Sequence, residues 1–438
     1  MILNLSSIFP RRSVRQLCAV ALFWMLFIGV TGDVSAANSP GQPPMEKSAT
    51  GVHDGGGHLP VYHTEVTTVK QFGYSYLTAY MFFLSICLGS LILVILHHLF
   101  DAGWSVPVRR VTEQIAALLP WMLLLFIPIA LLAPQIYPWM NIDPAADHAL
   151  HVKKVLFNKP TFYVVSFAIL GIWSWMALSF RRYSLMQDKD GSPVWTYKSR
   201  RLAAAGVFIF AFSVTLAAIY WMKSLQHQFF STMYGVYYFA GSTWVALGTI
   251  YFLINKFRFG VLKEVIFRRQ MHDIGVLLFA FTVFYAYIHF SQYFLIWNAA
   301  IPEETFWYVL RERGSWAAVG YSLIFIHFAV PFVLLLRIDA KLTWWVMLPL
   351  IVLVWVMHYL DMAFNVMPVL YPNGVHFTLW DILVVGGIGA LLTKMFFVNY
   401  AKNPPYPIKD PRLIEAVTHQ ESLGVSPISV AQPSSGGH

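Results

Sequence analysis

The sequence predicts an all-α polytopic membrane bundle of nine or ten transmembrane helices. Hydrophobic residues make up 58% of the 438 residues and charged residues 12%, which is about half the charged fraction of an ordinary soluble domain. This composition excludes a soluble globular enzyme. Nine long apolar stretches follow the N-terminal leader, each near the roughly 20 residues that a helix needs to cross a bilayer. The stretches are continuous rather than alternating in polarity, which excludes a membrane β-barrel.

The leader and the two polar segments bound the predicted bundle, residues 71–400. Residues 1–37 contain three arginines, an apolar run and small residues up to Ala37, a pattern typical of a secretory signal peptide. An uncleaved N-terminal transmembrane helix is the alternative. Residues 38–70 predict a flexible periplasmic segment, and residues 401–438 predict a disordered cytoplasmic tail. The nine predicted spans cover residues 72–100, 114–133, 161–180, 202–222, 235–254, 272–297, 316–336, 343–362 and 378–398.

Basic residues concentrate in the loops after the first, third, fifth and seventh of these spans. Such loops face the cytoplasm by the positive-inside rule, and the C-terminus falls on the same side. The net charge of +9 therefore indicates orientation in the membrane rather than nucleic-acid binding. Lys153, Lys154 and Lys159 lie in an opposite, outer loop and go against the trend.

Ionisable side chains inside the spans are the main functional candidates, because each is costly in hydrocarbon unless it is paired or hydrated. A rise of about 1.5 Å per residue puts several of them at similar depth in the outer half of the bundle. We expect His289, His358, Asp361, Asp381 and His327 to handle protons there, with His327 near the midplane. Tyr293 and Gln292 are candidate contacts for a quinone. An interhelical hydrogen-bond network without catalytic function is the alternative for this outer group.

A second group of ionisable residues lies near the predicted inner face. It fits a proton entrance, although side chains at helix ends also serve as interfacial anchors. The group consists of His97, His98, Asp101, Glu113, His272 and Asp273.

Four kinds of chemistry can use two such groups. A quinol site needs a histidine and a carboxylate that take protons as electrons leave. A proton pathway with His327 between two half-channels and a secondary transporter remain alternatives. A b-type haem is disfavoured because His272 and His289, which lie on one predicted span, are 17 residues apart. This spacing does not match that of the paired same-helix histidines of a di-haem cytochrome b. Cys18 and Cys87 are the two cysteines and form no metal-binding or haem-attachment pair, so any metal in this chain must be held by histidines or carboxylates.

The segment HHLFDAGWSVPVRRVTEQIAALLP, residues 97–120, resembles the corresponding junction of a known family. That family is the smaller, F-type membrane subunit of alternative complex III, a bacterial quinol:cytochrome c oxidoreductase, which is related to polysulfide-reductase-type membrane subunits. The motif core is Asp101 to Ser105 followed by Arg109, Arg110 and Glu113. The span count and the short tail NYAKNPPYPIKDPRL extend the resemblance over about residues 72–412.

The resemblance implies a role in respiratory electron transfer in the bacterial inner membrane. The implied cofactor is menaquinone or ubiquinone, and the resemblance implies that this chain binds no haem or metal. The implied partners, besides membrane lipid, are multihaem cytochrome c subunits, an iron–sulfur or molybdopterin-type subunit and a sister quinone-binding membrane subunit. A membrane scaffold that only anchors extrinsic redox subunits, and a secondary transporter, are the alternative functions.

Overall fold

The computed structural model describes residues 66–413 and residue 416. Within them the chain is helical and contains no strand. The predicted leader and most of the predicted periplasmic segment, residues 1–65, lie outside the described part. The helices in chain order are α1 (Thr68–Leu99), α2 (Val106–Ala116), α3 (Leu119–Leu125), α4 (Ile127–Ile136), α5 (His148–Val152), α6 (Lys159–Asp190), α7 (Val194–Trp221), α8 (Tyr234–Phe257), α9 (Arg268–Ala299), α10 (Pro302–Arg311), α11 (Gly314–Ser322), α12 (Val330–Leu336), α13 (Ile338–Leu342), α14 (Trp344–Val366) and α15 (Leu379–Tyr400).

Eight helical segments in the described part are long and apolar enough to cross a membrane, and a ninth is a broken pair. This confirms the predicted fold class. The eight are α1, α6, α7, α8, α9, the continuous stretch Gly314–Leu336, the stretch Trp344–Val369, and α15. The protein is therefore a multi-pass helical membrane protein whose lipid-facing surface contacts the bilayer.

The second predicted span is not one straight helix. The segment bends by 53° between Gly103–Leu125 and Ile127–Ile136. Pro128 explains the break, since it has no N–H to donate to the carbonyl four residues earlier and its ring crowds that carbonyl. Two tyrosines of α1 bond to other carbonyls beside the break: the Tyr76 hydroxyl donates to the Leu125 carbonyl at 2.9 Å and the Tyr80 hydroxyl to the Met122 carbonyl at 3.1 Å. Side chains of a neighbouring helix thus satisfy backbone groups at membrane depth.

Helices α1 and α8 form the centre of the bundle. Helix α1 contacts α2, α4, α7, α8, α14 and α15, and α1 and α8 are the most buried of the spans. Their close approach depends on Gly89, where an added Cβ would lie 2.1 Å from the Ser242 carbonyl oxygen and 2.6 Å from the Ala246 Cβ. Small residues at such contacts let helix backbones meet inside a membrane.

The substitution Gly89→Ala is therefore expected to destabilise the bundle by up to about 3 kcal/mol, because the new methyl group must push α1 and α8 apart. Thermal unfolding of the purified chain in detergent measures this effect. Gly171→Ala in α6 is the matched control, since an added Cβ there meets nothing within 4 Å. Equal unfolding temperatures for the two variants would contradict the assigned contact.

The packed domain is longer at both ends than the predicted range of residues 71–400. Helix α1 begins at Thr68, where the Thr67 side chain caps it by accepting from the Lys70 N–H. Residues 401–413, predicted to belong to a disordered tail, instead pack on the bundle, with Asp410 2% exposed and Arg412 8% exposed. The tail is ordered here because its charged residues pair with those after α1, as described below.

Candidate functional site

The candidate site is a cluster of buried histidine, aspartate and tyrosine side chains between α8, α9 and α14. His327, His358 and Asp361 lie at its centre, and each is 0% exposed. One ligand atom from each of the three lies within 4.8 Å of the others. The structure therefore brings together three predicted site residues from two different spans, His327 from one and His358 and Asp361 from the other.

His327 enters the cluster from a π-helical stretch, Leu323–Ala329. The carbonyl of His327 is four residues before Pro331, which cannot donate to it, so the helix is locally widened. The imidazole lies between two aromatic rings, 4.0 Å from the Trp244 ring centroid and 4.1 Å from that of Tyr285. Neither ring nitrogen has a hydrogen-bond partner in the described part of the chain.

Hydrogen bonds around His358 define its tautomer. The Ser85 hydroxyl donates to the Phe82 carbonyl at 2.6 Å, so it accepts from the His358 Nε2–H at 2.8 Å. The neutral ring then has its lone pair on Nδ1. That Nδ1 lies 4.0 Å from Asp361 Oδ2, and a proton acceptor therefore faces a carboxyl group across a short gap. Gly241 leaves room for the ring, because a Cβ there would lie 3.0 Å from His358 Cε1.

Asp361 connects the histidines to a row of hydroxyl groups. Its Oδ1 accepts from the Tyr237 hydroxyl and, at 3.4 Å, from the Asn365 side-chain amide. The Tyr285 hydroxyl lies 3.4 Å from the Tyr237 hydroxyl and 3.4 Å from His289 Nδ1. His289 is half-buried on α9. The row therefore runs from the fully buried Asp361 toward the lipid-facing side of the bundle.

Gln292 and Tyr293, the candidate quinone contacts, lie outside this row. The Gln292 amide is engaged at both ends, accepting from Ser231 at 2.9 Å and donating to the Tyr308 hydroxyl at 3.1 Å. The Tyr293 side chain is 37% exposed, and its hydroxyl lies 3.4 Å from a Glu312 carboxylate oxygen. Gln292 thus has a structural role in joining α9 to neighbouring segments, and Tyr293 faces outward.

Among the described residues, no hydrogen bond joins Asp381 to the cluster. Its Oδ2 accepts from the backbone N–H of Thr378 at 2.7 Å and from the Thr378 hydroxyl at 3.0 Å, which caps α15. Its other oxygen has no hydrogen-bond partner in the described part, and the side chain lines a small cavity of about 10 Å³ with Trp316 and Tyr359. A cavity of that size holds about one water molecule.

The inner group forms a charged cluster around the start of α2. Arg109 contacts Glu113 at 2.9 Å and Asp410 at 2.6 Å, and it donates to His97 Nε2 at 2.9 Å. Arg110 contacts Asp188 at 2.5 Å. This explains the Arg-Arg-x-x-Glu spacing of the sequence motif, in which all three side chains lie on one side of a buried helix.

Asp101 and the tail complete this inner cluster. Asp101 adopts a left-handed backbone conformation with φ 53° directly after α1, and it pairs with Arg200 at 2.5 Å and with Arg412. The hydrogen bond from Arg200 lowers the pKa of Asp101. Burial alone would raise the pKa of Asp410, but Arg412 and Arg109 outweigh it and hold that pKa well below its usual range.

The other inner candidates, His98, His272 and Asp273, take no part in the ion pairs of this cluster among the described residues. The His98 ring stacks on Phe180 with centroids 5.5 Å apart, and its nitrogens have no hydrogen-bond partner in the described part. His272 and Asp273 lie 3.4 Å apart on the half-exposed start of α9, with Arg269 beside them. The structure therefore divides the predicted proton entrance into a buried ion cluster and a separate interfacial pair.

The sequence analysis missed several residues of both clusters. Tyrosines in the spans look like ordinary interfacial or core residues, so Tyr237 and Tyr285 gave no signal. Asn365 could have been found, since it lies one helical turn after Asp361 and donates to the Asp361 carbonyl at 2.8 Å. Asp188 lies near the end of α6 and Asp410 lies in the segment after α15, where charged residues usually face solvent.

Three of the buried side chains could also hold a divalent metal. Two histidine nitrogens and a carboxylate oxygen suit zinc, which binds such ligands at about 2.0–2.2 Å. The supporting contacts are of the right kind, because Ser85 fixes His358 and Tyr237 fixes Asp361.

Comparison of the sequence with protein-family models and with curated proteins gives no match. The fold and the site together define the chain as a polytopic helical membrane protein with a buried histidine–aspartate–tyrosine cluster.

Proposed function

We propose that the chain is an integral membrane subunit of a quinol-oxidising respiratory complex of the alternative complex III type, in which it carries protons. The observation that supports this most is the row His358, Asp361, Tyr237, Tyr285 and His289, because it places exchangeable protons in sequence inside a membrane bundle. Ionisable groups at such depth are rare without a function. The junction of residues 97–120 supports the choice of complex.

The arrangement suits proton release from a quinol. Oxidation of a quinol to a quinone releases two electrons and two protons. His289, half-buried on the lipid-facing helix α9, is placed to accept a proton from a quinol hydroxyl, and the tyrosine hydroxyls connect it to Asp361. The electrons leave to redox subunits, because the two cysteines of this chain cannot form a cluster or a haem attachment.

The proposal includes the assembly and its place in the cell. The partners are multihaem cytochrome c subunits, an iron–sulfur or molybdopterin-type subunit and a sister quinone-binding membrane subunit. The quinone is menaquinone or ubiquinone. The complex lies in a bacterial inner membrane, with the C-terminus of this chain and the ion cluster of Arg109 on the cytoplasmic side.

Purification from the native membrane through a tag on this chain tests the proposal. We expect a complex that contains haem c and oxidises a quinol with cytochrome c as the acceptor. A chain that purifies alone and moves a solute across liposomes would instead indicate a transporter. A complex that assembles and turns over normally after replacement of His289, His358 and Asp361 together would indicate a scaffold.

The unpartnered atoms of His327, His358 and Asp361 favour a second candidate function for the cluster, a bound divalent metal. Metal analysis of the purified chain by mass spectrometry distinguishes the two. The proton-carrying proposal predicts no stoichiometric zinc in the chain, because a bound metal would occupy the lone pairs of His358 and Asp361 that accept protons. Near-stoichiometric metal that is lost in Asp361→Asn would favour the metal site.

A further inference from the structure

Two lysines of the predicted outer loops converge on one aromatic ring. The Lys153 ammonium lies 5.7 Å and the Lys223 ammonium 5.1 Å from the centroid of Phe230. Lys153 also donates to the His227 carbonyl at 2.7 Å. Lysines at the outer end go against the positive-inside rule, so their convergence needs a separate reason.

Lys223 lacks a counter-charge in the described part of the chain. It is 6% exposed, and its ammonium faces the Phe230 ring at 5.1 Å from the centroid. Asp147 is engaged with His227 at 2.7 Å, and its charge acts on Lys153. Burial, followed by the nearby charge of Lys153, lowers the pKa of Lys223 to about 8. An anion beside the two lysines would relieve this unbalanced charge.

The position of the pair indicates the depth of that anion. Lys223 follows Trp221, the last residue of the span α7, by two positions. The Lys153 ammonium lies near the same Phe230 ring, so the pair is near the outer end of α7, where lipid phosphates lie. The surroundings are apolar, with Phe230 53%, Val152 67% and Val155 80% exposed. An anionic phospholipid matches both features, because its phosphate lies at headgroup depth and its acyl chains can contact these apolar side chains.

We propose that Lys153, Lys223 and Phe230 form a binding site for the phosphate of an anionic phospholipid at the outer end of the bundle. Both ammonium groups lie within 6 Å of the Phe230 ring centroid, and the exposed valines would contact the acyl region. The site is distinct from the Asp361 cluster and does not depend on the function proposed for that cluster.

Lipid-dependent stabilisation of the full chain in detergent tests this site. Phosphatidylglycerol is expected to raise the unfolding temperature more than phosphatidylcholine does. Lys153→Gln and Lys223→Gln each weaken phosphatidylglycerol binding about fivefold, the effect of one lysine near an anionic surface. Lys154→Gln is the matched control, because Lys154 is exposed in the same loop and is expected to bind as the wild type does.

Three results would overturn the proposal. They are equal stabilisation of the wild type by the two lipids, equal weakening by Lys154→Gln, and stabilisation by soluble glycerol phosphate as strong as that by the lipid. If the buried Lys223→Gln variant does not fold, the half-buried Lys153→Gln variant alone decides between these outcomes.

Discussion

Replacing Asp361 with asparagine is expected to lower quinol:cytochrome c turnover by about 100-fold or more, the usual loss when a positioned proton acceptor is removed. Asparagine keeps the shape of the side chain, and its carbonyl oxygen can still accept from Tyr237. Its amide can donate toward His358 Nδ1, now 4.0 Å from the carboxylate. The complex is therefore expected to assemble, and the loss reflects the missing proton acceptor.

Asp381→Asn is the matched control for this experiment. Asp381 is the third residue of the capping box whose N-cap is Thr378, and an asparagine oxygen there can still accept from the Thr378 N–H as Asp381 Oδ2 does at 2.7 Å. We expect turnover close to that of the wild type. Wild-type turnover in Asp361→Asn, or an equal loss in both variants, would remove the Asp361 row from the proposed mechanism.

Replacing Asp410 with asparagine is expected to destabilise the protein by about 3–5 kcal/mol, the usual cost of removing one partner of a buried ion pair. The carboxylate contacts Arg109 at 2.6 Å and Arg412 at 2.9 Å. Without it, two buried guanidinium groups lose a counter-charge. Thermal unfolding in detergent near neutral pH measures the loss.

The pH dependence of stability provides a second check on Asp410. Its pKa in the folded protein is lowered, so the stabilisation is fully present above the unfolded pKa of about 3.9 and is lost as the pH falls further. The wild type should therefore show an acid-induced loss below about pH 4 that is much smaller in Asp410→Asn. Asp339→Asn is the control, since its carboxylate is 76% exposed and exposed pairs contribute little. An equal effect of both substitutions would contradict a special role for the tail.

Much of the fold follows from apolar run length, whereas the bend in the second span does not. Runs of about 20 apolar residues predicted where each helix crosses, and the observed helices begin and end within a few residues of most predicted bounds. Whether a proline bends a helix depends on which neighbouring side chains satisfy the backbone near the break, and here tyrosines of α1 donate to the Leu125 and Met122 carbonyls.

The depth of the site residues in the membrane was predictable from the sequence, but the direction in which each helix turns its side chains was not. Helical rise placed His289 and His358 at similar heights, and the three-residue spacing placed His358 and Asp361 on one face. Asp381 has a similar predicted depth, yet it faces the cap of α15 because the rotation of each helix about its axis depends on packing with its neighbours. The same limit applies to the tail, since pairing of Asp410 with Arg109 spans 301 residues.

The most direct test of the account is the infrared difference spectrum between the oxidised and quinol-reduced complex. We predict a carboxyl band that changes on reduction, is absent in Asp361→Asn and persists in Asp381→Asn, because Asp361 exchanges a proton or a hydrogen bond during turnover. An unchanged carboxyl band in Asp361→Asn would contradict the claim that the buried cluster carries protons from the quinol.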